Sequence, residues 1–124
     1  MSINGRAKGN NYEVKLCNEL KEFFPEVVTS RSESKRTDAK GVDFCYTGIF
    51  NIQAKAVEKL RGGHHEILDR MPKEGVNVVF HKRNNKGTTV TMTKQEFYNI
   101  LELLKDDSFY DTYFKGVKGY HSVR

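Results

Sequence analysis

The stretch GVDFCYTGIFNIQAKA most constrains the fold of this chain. Ile49, Phe50, Ile52, Ala54, Ala56 and Val57 form an apolar run, broken by Gln53 and Lys55 two residues apart. In a strand, residues i and i+2 face the same side, so Gln53 and Lys55 point together while Ile52 and Ala54 point the other way into apolar surroundings. An amide and an ammonium inside such a run are costly to bury without a partner or a role. The same alternation also fits a half-buried strand with its polar face in water. Asp43 lies ten residues before Gln53, at the start of the preceding strand.

A second carboxylate lies upstream. Tyr12, Leu16, Leu20 and Phe23/Phe24 recur at helical spacing, with Val14 and Cys17 nearby, and predict a helix from about Asn10 to Phe24, stopped by Pro25. Glu13 sits one turn into that helix, beside the apolar stripe. There it is either a functional carboxylate or a solvated residue favoured by the helix dipole.

The remaining layout follows from periodicity and breakers. A short strand is expected around 27–29, then a Ser-, Lys- and Arg-rich loop over 30–40. Strands near 42–47 and 49–57 should form a hairpin through Thr47-Gly48. Gly62-Gly63 breaks the chain before a short helix from His64 to Met71, ended by Pro72. Val76–Phe80 reads as a buried strand, Asn84–Gly87 as a turn, and Thr88–Met92 as a strand pairing back. Thr93 and Glu96 form a capping box for a last helix with Phe97, Ile100, Leu101 and Leu104 on its apolar face. The order is α-β-β-β-α-β-β-α, an α/β domain over 1–105. Residues 106–124 form an aromatic and basic tail, read as a mobile terminus or an arm.

The 124 residues carry a net charge of +5. That charge permits nucleic-acid binding, and its distribution says more than its sum. Arg31, Lys35, Arg36 and Lys40 precede Asp43; His81, Lys82, Arg83 and Lys86 crowd a predicted turn; Lys115, Lys118, His121 and Arg124 punctuate the tail. The absence of a long apolar run excludes a transmembrane helix, and the polar N-terminal residues point to an intracellular, cytoplasmic protein. Cys17 and Cys45 lack metal-ligand spacing and are expected as buried free thiols. The adjacent His64 and His65 face different ways on a helix. There is no G-x-S-x-G nucleophile elbow and no Walker-type loop.

Together these residues resemble the PD-(D/E)XK nuclease superfamily, above all its archaeal-type and phage-encoded Holliday junction resolvases. The resemblance covers roughly residues 5–105. It rests on the basic approach Arg6-Ala7-Lys8-Gly9 before Glu13, the segment Ser30–Arg36, Asp43 at a strand start, and Gln53-Ala54-Lys55. Where the family carries a second carboxylate, this chain has Gln53, whose amide oxygen can ligate a hard cation but brings no charge.

The resemblance implies a restriction-endonuclease-like core, a central mixed β-sheet flanked by helices. It further implies a Mg2+-dependent endodeoxyribonuclease of phage or mobile-element type, with Mn2+ able to substitute. A homodimer cutting four-way junctions or other branched DNA is expected, since two-fold symmetry matches two symmetric cuts. In this scheme Asp43 is the central metal ligand, joined by the Gln53 amide and the Ala54 backbone carbonyl. Glu13 binds a second ion or orients a water held by the metal, and Lys55 positions the attacking water or stabilises the phosphate. Arg6, Lys8, Arg31, Ser32, Ser34, Lys35, Arg36, Lys40, Lys82 and Arg83 are the DNA-binding candidates, with Ser32 matching the functionally important Ser of the resolvases. The alternatives are a nuclease for other branched or nicked DNA, and a catalytically weak DNA-binding protein that keeps the fold.

Overall fold

The computed structural model describes residues 2–33 and 41–105. Two compact units divide between Thr93 and Lys94. The first holds helix α1 (Ser2–Leu20), strand β1 (Val28–Thr29), the one-turn helix α2 (Ser30–Glu33), and strands β2 (Phe44–Cys45) and β3 (Phe50–Ala56). It continues through helix α3 (Gly63–Arg70), strand β4 (Val76–Arg83) and strand β5 (Gly87–Thr91). The second unit opens with helix α4 (Lys94–Lys105). The expected order is therefore present, with one added turn of helix after β1.

Two sheets carry the first unit. β3, β4 and β5 form a mixed sheet in that order, β3–β4 parallel and β4–β5 antiparallel, while β1 and β2 form a separate antiparallel pair. The parallel pairing requires a crossover, and α3 supplies it. The hairpin expected through Thr47-Gly48 is only partial. Asp43 N–H donates to Ile52 O at 2.8 Å and Phe50 N–H to Thr47 O at 3.1 Å, but β2 takes its ladder from β1 instead of β3.

Each face of β3 meets a different helix. Ile52 and Ala56 are buried on the side of α1, whose Tyr12, Leu16, Cys17 and Leu20 are also buried. Gln53 and Lys55 project from the opposite face, beside their register partners Val79 and His81. Val79 is fully buried in a cluster with Ile67 and Leu68 of α3 and the following Met71. The Gln53–Lys55 face is thus partly roofed by α3, which is why both residues are half-buried and not a wet outer surface.

Four sequence expectations need correcting. α1 begins at Ser2 and ends at Leu20, so Glu13 lies mid-helix, where the dipole of a helix start gives it no support. The residues after it turn instead, with Phe23 and Phe24 N–H both on Leu20 O, which leaves Phe23 74% exposed and Phe24 edge-on to Phe50. His81, Lys82 and Arg83 lie in β4, not a turn; His81 is buried, with Nε2 2.7 Å from Val57 O and its ring edge-on to His64. Both cysteines are free, Cys17 buried and Cys45 half-buried.

The ends of β3 and β4 are tied by a small amide network. Asn51 Nδ2 donates to Glu74 O at 2.7 Å and to Asn77 Oδ1 at 2.8 Å, and Asn77 Nδ2 donates to Pro72 O at 2.7 Å. Gly75 enters β4 with φ 91°, and a Cβ there would lie 2.7 Å from Ile49 O. Only glycine combines that backbone angle with so close an approach.

Candidate active site

Asp43 is the centre of the arrangement. It is 8% exposed and stands at the edge of β3 that β4 does not use. Its N–H bonds Ile52 O, its carbonyl accepts Ser30 N–H at 2.8 Å, and its Oδ2 accepts Ala54 N–H at 2.7 Å. A single residue thus joins the two sheets through backbone and side chain. The N–H and C=O of a strand residue leave toward the same edge, so the Ala54 carbonyl also faces the Asp43 side.

Gln53 and Lys55 flank Ala54 on the α3 face. Gly41, with φ 76°, closes against Gln53; a Cβ there would stand 3.5 Å from Gln53 Oε1 and 3.7 Å from Met71 Cγ. Lys55 forms no ion pair with any described residue. Glu13 approaches from α1. Its Oε1 accepts from Arg31 Nε at 3.0 Å, with the Glu13 side chain largely buried and Arg31 half in solvent. Ser30 links this pair to the centre, since it precedes Arg31 and is bonded to Asp43.

The basic candidates separate into groups. Arg31 is held by Glu13. Ser32 spends its hydroxyl proton on Thr29 O at 2.8 Å, closing the α2 turn. Arg6 is exposed on α1. Arg83 stands 3.7 Å from Glu58, whose carboxylate also accepts Asn84 N–H at 2.6 Å and is thereby held below its usual pKa. Lys8 Nζ donates to Asn84 Oδ1 at 2.7 Å and shares a cleft with Lys82. Ser34, Lys35, Arg36, Lys40 and the tail from 106 onward lie outside the described residues. Sequence reasoning missed Lys15, which lines the same cleft; its signal was the Lys8, Asn11, Lys15 spacing on one helix face.

Among the described residues no three His, Cys, Asp or Glu side chains converge as a metal cluster. The donors around Asp43 are of another kind: one carboxylate, one amide and one backbone carbonyl, all oxygen. Hard cations take such donors, and Mg2+ is commonly held by one or two carboxylates with water and substrate phosphate completing its shell. Their chemistry is of the kind one such ion takes. Glu13, ion-paired to Arg31, adds no unengaged charge for a second.

Comparison with protein family models, with characterised proteins and with solved structures found no match to this chain. A functional reading therefore rests on the residues themselves. No helix among the described residues is long and apolar enough to cross a membrane.

Proposed function

We propose that this chain is a metal-dependent, structure-specific DNA endonuclease with a restriction-endonuclease-like core, acting on four-way junctions or other branched DNA as a homodimer. The observation that carries this reading is Asp43 seated on Ala54 N–H at the open edge of β3, between Gln53 and Lys55. Asp43, the Gln53 amide and the Ala54 carbonyl would hold the ion. What Mg2+ supplies when bound, with Mn2+ able to replace it, is positive charge on the scissile phosphate and a water of lowered pKa.

The chain's own residues do the remaining work. The Lys55 ammonium, on the strand position next to Ala54, stabilises negative charge that builds on the phosphate in the transition state. Glu13 restrains Arg31, the residue after the Ser30 that Asp43 bonds, so that the guanidinium meets a phosphate with little further loss of freedom. The bonds of Asp43 to Ala54 and Ser30 fix the carboxylate before substrate arrives.

A second reading is a DNA-binding protein without strong catalysis. It is favoured by neutral Gln53 and by the engagement of Glu13 with Arg31. Incubating four-way junction and linear duplex with Mg2+, Mn2+ or chelator separates the two. The nuclease reading expects metal-dependent cutting of the junction, lost in Asp43→Asn and Lys55→Ala while junction binding persists. Junction binding without cutting at any metal concentration would leave the binding reading; wild-type cutting by Asp43→Asn would remove Asp43 from the site.

A further inference from the structure

On the α1 face of the sheet lies a cleft of about 460 Å3 that the Asp43 site does not use. Ala7, Lys8, Asn11, Tyr12 and Lys15 line it from α1, and Ala56 and Lys82 from the strands. The helix residues fall on one stripe, spaced by three and four. Lys82 is the register partner of Ala56, so it rises from the same face. The cleft continues past Tyr12 and Lys15 toward Glu19, Phe80, Thr88 and Val90. Its size lies within the range of small-ligand sites.

The lining has the character of an anion site. Three lysines surround one hollow, and none forms an ion pair among the described residues. Lys8 is held in place by Asn84 Oδ1, which restrains the ammonium without neutralising it. Among the described residues lining it the one carboxylate is Glu19, at the far end, and Glu58 lies close enough to Lys8 to feel its charge. Tyr12 floors both halves of the hollow. It is 9% exposed, and its hydroxyl is sealed from solvent without a hydrogen bond.

We infer that this cleft binds a phosphate group, carried by a free nucleotide or by a nucleic-acid strand, through Lys8, Lys15 and Lys82. Ammonium groups bind phosphate as mobile point charges, so three around one hollow accept a phosphate in more than one orientation. The inference rests on the cleft alone and not on the Asp43 chemistry.

The test needs neither metal nor cleavage. Amide NMR spectra of the full chain are followed while inorganic phosphate, deoxyadenosine monophosphate, deoxyadenosine or a short single-stranded oligonucleotide is added in chelator. Saturable shifts at Lys8, Asn11, Lys15 and Lys82 are expected with phosphate and the nucleotide, and none with the nucleoside. Lys15→Gln with Lys82→Gln should weaken binding by about tenfold or more, the loss expected for charge-assisted hydrogen bonds. An oligonucleotide that binds more tightly than the mononucleotide assigns the phosphate to a nucleic-acid backbone; equal affinity assigns it to free nucleotides. Should the double variant not fold, the exposed Lys15→Gln alone carries the comparison. Absent shifts, shifts confined to another surface, or an unweakened folded variant would overturn the assignment. Asp43→Asn should leave this binding untouched, so failure here and failure of the nuclease reading are separately visible.

Discussion

Asp43 combines two roles that mutation can separate. Its Oδ2 satisfies Ala54 N–H in a place where water barely reaches. Asp43→Asn keeps an acceptor of the same shape, whereas Asp43→Ala leaves that N–H unpaired, at a cost of about 1–3 kcal/mol. Denaturant titration should therefore show Asn near wild type and Ala destabilised, with cleavage absent from both. Gln53 offers the complementary change. Gln53→Glu places a second negative charge near Asp43, and isothermal titration with Mn2+ should show tighter binding. Unchanged or weaker binding would assign Gln53 to packing against Gly41 and Met71.

Among the elements, β3 was the most legible in sequence. Its alternation identified the strand and the shared side of Gln53 and Lys55, and the apolar run Val76–Phe80 marked β4. What lay over the polar side could not be read, because periodicity reports which residues share a side and not which element covers it. The split of β2 from β3 was equally hidden. Two residues of ladder are too few to leave a pattern, and the join runs through one side chain of Asp43. The pairing of Glu13 with Arg31 depends on how α1 crosses β1, again a tertiary fact. The entry into β4 gives a test at this scale. Gly75→Ala should cost about 2 kcal/mol or more, from its left-handed backbone and the approach of Ile49 O, and should lower Tm without altering the Asp43 site.

For the molecule as a whole, alkaline pH is the revealing variable. Burial raises the Cys17 thiol, with Lys21 partly opposing, and raises the Tyr12 phenol. The Thr88 side chain beside that phenol offsets part of the rise, while the Glu19 charge adds to it. Below the ordinary thiol range both groups are protonated in the folded and the unfolded chain alike. Above it the unfolded chain releases protons that the folded chain retains, so stability falls as pH rises. Denaturant titrations from neutral pH to pH values above the phenol range should show this decline, with a shallower slope in Cys17→Ala. A flat profile would mean that neither group is shielded in solution.

The parallel partnership of β3 and β4 also sets an order of events at birth. Glu13, Arg31, Asp43, Gln53 and Lys55 have all been translated once residue 55 has been added, yet β3 pairs from Phe50 with Val76 and from Ala56 with Lys82. Until the ribosome has released those later residues, the strand carrying Gln53 and Lys55 has no ladder partner along its β4 edge. Closing that interval is entropically slow beside local hairpin formation. A nascent chain halted before β4 should therefore hold every proposed active-site residue and still lack an active site.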